Sequence, residues 1–218
     1  MIISISGMIG SGKSTLSSKL HNHFQNSIIV EEFQKDDLIF NTFLDWCYQQ
    51  KPNIDISFQA YIVEALSQNF YDHLKIYKNL DKNSNRYMFL DRFTLEHYVF
   101  AKVTLLKKEP KYFEAFEALF ENILDVKTNP DFAIYLDVDF LTAKQRIFKR
   151  QRASEVDNWD ANEAYFKQLS DMYKQEFIKL ALKYSIPFAI IDANSLNEEQ
   201  ILELAINKIA LYKQKQIN

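Results

Sequence analysis

The run Gly7-Met8-Ile9-Gly10-Ser11-Gly12-Lys13-Ser14-Thr15 has the chemistry of a phosphate cradle. Its pattern is Gly-x-x-x-x-Gly-Lys-Ser, placed after a short apolar stretch and before a helix-forming segment. That setting is the one in which the motif holds a nucleoside triphosphate. The backbone N–H groups of residues 9–14 are expected to wrap the β-phosphate. The following helix adds its positive N-terminus to the same charge. Lys13 is expected to bridge the β- and γ-phosphates, and the Ser14 hydroxyl to ligate Mg²⁺. ATP and Mg²⁺ are therefore the expected cofactors. The bland alternative is a glycine-rich turn with an incidental lysine. Glycine usage argues against it. At an average near 7%, a chain this long carries roughly fifteen glycines. This one has three, all between positions 7 and 12. A chain that avoids glycine even at helix ends needs, at these positions, a backbone only glycine tolerates.

A phosphate loop alone does not choose among kinases, GTPases and motors. A guanine-reading Asn-Lys-x-Asp is absent, and an Asp-x-x-Gly switch is impossible because no glycine follows position 12. A motor or signalling switch needs more chain. A small-molecule kinase is the reading left.

The bulk numbers agree. Hydrophobic residues make up 47% of 218, enough for a sizeable core, and the net charge of −3 gives no basic face for nucleic acid. The single cysteine, Cys47, cannot form an internal disulfide, which fits a reducing, cytoplasmic setting. No apolar run approaches the ~20 residues of a membrane span. The N-terminal residues lack the pattern of a signal peptide and read as a strand.

Alternating strands and helices must position the loop. Strands are expected at 2–6, 27–30, 86–90, 132–136 and 188–191. Helices are expected from the loop to about 24, then at 37–50, 56–80, 94–107, 111–126, 140–152, 160–184 and 197–215, with a polar break near 153–160. The prolines, Pro52, Pro110, Pro130 and Pro187, fall in the breaks. This alternation predicts an α/β protein, a P-loop kinase fold with a five-stranded parallel sheet covered by helices on both faces. With no linker and no repeat, residues 1–218 are expected to form one domain.

Further motifs stand where those strands and helices end. Val30-Glu31-Glu32-Phe33 follows the second strand, and Leu90-Asp91-Arg92 the third. Ser57-Phe58-Gln59-Ala60-Tyr61 lies on the long helix, with Tyr48 upstream. Arg150-Gln151-Arg152-Ala153-Ser154-Glu155 ends a helix, and Ile191-Asp192-Ala193-Asn194 follows the last strand. In this order and spacing, over most of the chain, they resemble the deoxyribonucleoside kinase family, in particular the bacterial deoxyadenosine/deoxyguanosine kinase type.

The resemblance assigns roles. A glutamate after the second strand takes the proton of the nucleoside 5′-hydroxyl. A carboxylate at a strand's end, facing the γ-phosphate, suits a general base. Register with Phe33-Gln34-Lys35 favours Glu31, with Glu32 as the alternative. Gln59 pairs with the base, as a carboxamide can with adenine N6 and N7. Phe58 and Phe100 line the base, and Tyr48 reaches the sugar 3′-hydroxyl. Arg92 holds the 5′-oxygen and the catalytic glutamate in place, and Asp91 acts on Mg²⁺ through water. Either Glu96 or His97 approaches the nucleobase. The segment around 150–158 becomes a short arginine-rich lid whose Arg150 and Arg152 neutralise the transferring phosphoryl group. Arg146 assists, and Glu155 reaches the 3′-hydroxyl. Asp192, Ala193 and Asn194 lie beside the ATP adenine. A homodimer is implied by the resemblance alone.

The resemblance favours deoxyadenosine as acceptor; deoxyguanosine, deoxycytidine or a broad range are alternatives, since an amide can flip. A thymidylate-type monophosphate kinase shares several motifs but needs extra cations for its acceptor's phosphate. A non-catalytic nucleotide-binding protein is a third reading, opposed by the intact Lys13, Ser14, Asp91 and Arg92.

Overall fold

The computed structural model describes residues 1–32, 37–157 and 159–217. The register argument from Phe33, Gln34 and Lys35, and the last lid position, 158, lie outside them.

Five strands form one parallel sheet: β1 (Ile2–Ser6), β2 (Ser27–Val30), β3 (Tyr87–Asp91), β4 (Phe132–Asp137) and β5 (Phe188–Asp192), in the order β2-β3-β1-β4-β5. The central strands are apolar without alternation, because helices cover both faces. Every residue of β3 is buried, and so are five of the six of β4.

After β1, the phosphate loop leads into α1 (Lys13–His23). Then come α2 (Leu38–Tyr48) and α3 (Asp55–Asn79), between β2 and β3. Next are α4 (His97–Leu105) and α5 (Pro110–Ile123), then α6 (Phe140–Arg150), α7 (Ala153–Val156), α8 (Trp159–Lys183) and α9 (Glu198–Ile217). Helices α1 and α9 pack on each other; α4 packs on α3, α5 and α8.

Near the site, two elements differ from the sequence expectation. The 94–107 segment opens with a 3-10 turn, Thr94–Glu96, before α4 begins. The polar break near 153–160 contains the single helical turn α7.

Register brings the functional ends level. Ile5 pairs with Asp91, Val30 with Leu90, and Ser6 with Tyr135. The phosphate loop, the Glu31-Glu32 pair and Asp91-Arg92 therefore all leave the sheet at its carboxyl edge, where parallel α/β sheets bind ligands.

The chain's economy with glycine also finds its explanation. Gln50, Asn53, Gln151 and Ser185 take the left-handed backbone at helix ends and turns, with φ between 53° and 67°. Polar residues absorb a modest cost there.

Candidate active site

The phosphate loop is built by close approach. Gly10 has φ +83°, and a Cβ on it would lie 2.7 Å from the Ala143 carbonyl oxygen of α6. Gly7 has φ +142°, and a Cβ there would lie 2.7 Å from the Leu136 carbonyl oxygen. The loop is thus pressed between β4 and the helix that carries the lid. Met8 is buried, and its carbonyl accepts from Ser11 N at 3.1 Å and from Lys13 Nζ at 3.2 Å. Burial, then the neighbouring Arg92, pushes the Lys13 ammonium down to about 8, against the pull of Asp91, Glu32 and Glu96. Ile9 through Thr15 line a cleft of about 1670 Å³.

Ser14 Oγ donates to the Asp91 carboxylate at the head of the loop. The other Asp91 oxygen, Oδ1, is buried with no hydrogen-bond partner among the described residues. No cluster of three or more His, Cys, Asp or Glu suited to a metal occurs among them either. A hydroxyl, one carboxylate and phosphate oxygens suit Mg²⁺, which keeps several waters.

The carboxylate that faces the loop belongs to Glu32. Arg92 Nη1 donates to Glu32 Oε1, and His97 Nε2 lies 3.4 Å from the same oxygen. Burial alone pushes the Glu32 carboxyl up, but Arg92 and His97 outweigh it and hold it well below the usual carboxylate range. Glu31, the residue the register argument prefers, is exposed at the cleft wall, and its main-chain carbonyl accepts from Asn69 Nδ2 at 3.0 Å. Both glutamates follow the end of β2 at Val30, and it is Glu32 that comes within reach of Arg92 and His97.

Arg92 itself takes φ +72°. A non-glycine residue held there marks backbone strain of the kind that collects at functional sites. Its side chain is 4% exposed. Besides Glu32, it donates from Nε to Tyr173 Oη at 2.9 Å and from Nη2 to the Gly7 carbonyl at 3.2 Å. Its guanidinium carbon sits 4.7 Å from the centre of the Phe100 ring.

The cleft continues between α2, α3 and α4. Gln59 is buried on α3, with Oε1 unpartnered among the described residues. Phe58 stacks on Phe43, with ring centres 5.4 Å apart, inside an aromatic cluster that includes Phe40. His97 lines the cleft and stacks on Phe100. Glu96 turns away from it into the protein, so His97 is the member of that pair facing the cleft. Tyr48 lines the cleft too; burial, then the Glu155 charge, raises its hydroxyl well above the ordinary range.

In the lid, Glu155 gathers both arginines. Arg150 Nη2 donates to Oε1 at 2.7 Å and to Oε2 at 2.5 Å, and Arg152 Nη1 to Oε1 at 3.3 Å. The Glu155 side chain is 3% exposed, and those of Arg150 and Arg152 are 40% and 57%. All three line the cleft.

Asp192, Ala193 and Asn194 form a tight turn beside the cleft rather than its wall. Asn194 N donates to Asp192 Oδ1 at 3.0 Å, and Asn194 Oδ1 accepts from Asp139 N at 2.8 Å. The turn meets the site through Arg146, whose Nη2 donates to Ala193 O at 2.7 Å and Nη1 to Ser11 O at 3.2 Å. Leu196 and Asn197 form the cleft wall here. No motif marks them.

The inward contacts of Glu96 and the hydroxyl of Tyr173 escape sequence reasoning. A signal exists for the second: Tyr173 sits on the same buried stripe of α8 as Phe166, Leu169 and Phe177. A hydroxyl on such a face requires a partner.

The family described as "Deoxynucleoside kinase" matches residues 3–211. An uncharacterized protein of Mycoplasma genitalium is 28% identical, over 97% of this chain and 90% of its own. A deoxyguanosine kinase of Lactobacillus johnsonii is 27% identical, over 90% of this chain and 84% of its own. The solved structure of a deoxyadenosine kinase from M. mycoides with bound dCTP superposes with a TM-score of 0.75 at 27% identity, covering 96% of this chain and 99% of that one. Among the described residues no helix is long and apolar enough to cross a membrane.

Proposed function

The chain belongs to the deoxynucleoside kinase family, and from that premise we propose that it transfers the γ-phosphoryl group of ATP to the 5′-hydroxyl of deoxyadenosine. The observation that carries the reading is the pairing of buried Arg92 with the partly buried Glu32 at the sheet edge, beside Lys13 of the phosphate loop. A carboxylate there has two tasks, to accept the 5′-hydroxyl proton and to hold the arginine that aims the oxygen. In this role we put Glu32 in place of Glu31.

Residues 7–15 cradle the triphosphate, and Lys13 spans its β- and γ-phosphates. Mg²⁺, held by Ser14 and through water by Asp91, supplies charge neutralisation of the same oxygens when bound. Tyr48 and Glu155 take the sugar 3′-hydroxyl. As Glu155 does so, Arg150 and Arg152 become free for the transferring group. Gln59 reads the base edge, with Phe58 and Phe100 forming its apolar walls. Arg146 and the turn Asp192-Ala193-Asn194 shape the adenine end of the donor site. Positioning and electrostatics supply the catalysis, and no covalent intermediate is needed.

Deoxyadenosine is favoured by the Gln59 amide, which matches adenine N6 and N7, and by the similarity to a protein described as a deoxyadenosine kinase. Deoxyguanosine is the second reading, favoured by the relative described as a deoxyguanosine kinase. The proposal includes one domain with a lid at about 150–158, a homodimer as the resemblance implies, and a cytoplasmic setting. A panel of the four deoxynucleosides and dTMP with labelled ATP tests it. Deoxyadenosine should give the highest kcat/KM; product from dTMP alone would replace the reading with a monophosphate kinase. Sedimentation tests the assembly.

A further inference from the structure

Arg92 is a buried cation on a strained backbone, and its guanidinium can rotate about several bonds. Something must fix its direction. Its Nη2 donates to Gly7 O at 3.2 Å, and Gly7 N donates to Glu96 Oε2 at 3.1 Å. Tyr173 Oη accepts from Arg92 Nε at 2.9 Å and donates to the same Glu96 oxygen at 2.8 Å. These four contacts close a ring: Arg92, Gly7, Glu96, Tyr173 and back to Arg92. The guanidinium only donates, and the single tyrosine hydrogen goes to the Glu96 oxygen. Glu96 Oε1 also accepts from Phe93 N at 3.3 Å, which pins the turn just after Arg92.

We infer that Glu96 and Tyr173 are positioning residues that lock the first residue of the phosphate loop to the arginine serving the acceptor, so that donor and acceptor halves keep one spacing. The inference rests on the proposed function of the same site. Neither side chain lines the cleft; both act through Arg92 and Gly7. Glu96 is 1% exposed and Tyr173 fully buried, so the ring is shielded from competing water. Tyr173 lies on α8, the helix that follows the lid, which brings a third segment into register with the loop.

In-line transfer is sensitive to misplacement of its groups by about 1 Å. Loss of the ring should therefore lower kcat more than it raises KM. The test uses the full chain and steady-state kinetics with ATP and deoxyadenosine, or the best nucleoside of the panel. Tyr173→Phe keeps the ring packed against Phe100 and Tyr135 and removes only the hydroxyl. It should lower kcat about tenfold, leave both KM values within about twofold, and melt within a few degrees of the parent. Tyr135→Phe, a second buried hydroxyl outside the ring, serves as control and should retain kcat. Glu96→Gln should lose more, because its amide sets an N–H group against donors. Adding Tyr173→Phe to Glu96→Gln should then cost little further, as coupled residues do. Should Glu96→Gln fail to fold, Tyr173→Phe decides alone. An active parent with unchanged kcat in Tyr173→Phe, or equal losses in Tyr173→Phe and Tyr135→Phe, overturns the inference. A parent inactive on every nucleoside overturns the functional reading instead, and this inference with it.

Discussion

The two sets of arginine and glutamate in this cleft are held in opposite ways. At the sheet edge, Arg92 is 4% exposed and its guanidinium bonds to Glu32, Tyr173 and the Gly7 carbonyl at once. In the lid, Arg150 and Arg152 are 40% and 57% exposed and share one carboxylate, Glu155. The first arrangement draws partners from three separate segments and is surrounded by packed protein. The second is local, three to five residues apart in sequence, and must come apart for its arginines to reach a phosphate. Preorganised groups need no rearrangement at the moment of reaction. Groups that must also admit and release substrate cannot be so fixed.

Substitutions at the two sets should separate these roles. Glu32→Gln is expected to lower kcat about a thousandfold, within the range of a lost general base, while ATP binding by calorimetry persists. Glu31→Gln should stay within about threefold of the parent; a collapse there with normal Glu32→Gln turnover would return the role to Glu31. Arg150→Ala should lower kcat by about a hundredfold, less than a full arginine finger because Arg152 remains. Its melting temperature should stay close to the parent's, since Arg150 is partly exposed and Arg152 still pairs with the buried Glu155. A large drop in melting temperature would mean that the lid pair is structural.

The same contrast decides what is legible in the sequence alone. The phosphate loop was legible because its chemistry is contiguous: residues 7–15 supply the cradle, the lysine and the hydroxyl in one run. The sheet was legible because buried parallel strands are continuous apolar runs, as in Phe132 to Leu136. The lid was legible for the same reason as the loop, with Arg150, Arg152 and Glu155 close together in the chain. The edge between Glu31 and Glu32 was not. One residue of register moves a side chain to the other face, and only Arg92 and His97, roughly sixty residues away, distinguish the two. The ring through Glu96 and Tyr173 was hidden likewise, because its bonds span 77 to 89 positions. The run Asp192 to Asn194 stands out in the sequence, but its link to the loop runs through Arg146 on another helix.

Smaller effects are expected farther from the reacting atoms. Gln59→Leu should lower kcat/KM for deoxyadenosine by ten- to a hundredfold, about 1–3 kcal/mol for a base-reading amide, with kcat/KM for the poorer nucleosides falling less. An equal fall for all bases would mean that Gln59 shapes the cleft without reading it.

The smallest expected effect concerns stability and acid. The Glu32 carboxyl is held below its ordinary value of 4.5 in the folded chain. A depressed carboxylate contributes stability that is fully present above the unfolded value and is lost as pH falls through the folded one. Glu32→Gln also leaves the buried Arg92 with one charged partner fewer. At pH 7 the variant should be less stable than the parent by about 1–3 kcal/mol, the cost of removing one partner of a buried group. That difference should shrink as pH drops below about 4.5, because the unfolded parent then takes up a proton that the folded Glu32 carboxyl still refuses. Urea unfolding of the two proteins at pH 7, 5 and 3.5 measures it. A gap that stays constant with pH would show that Glu32 is not the preorganised anion of the sheet edge, and would erase the contrast with the lid.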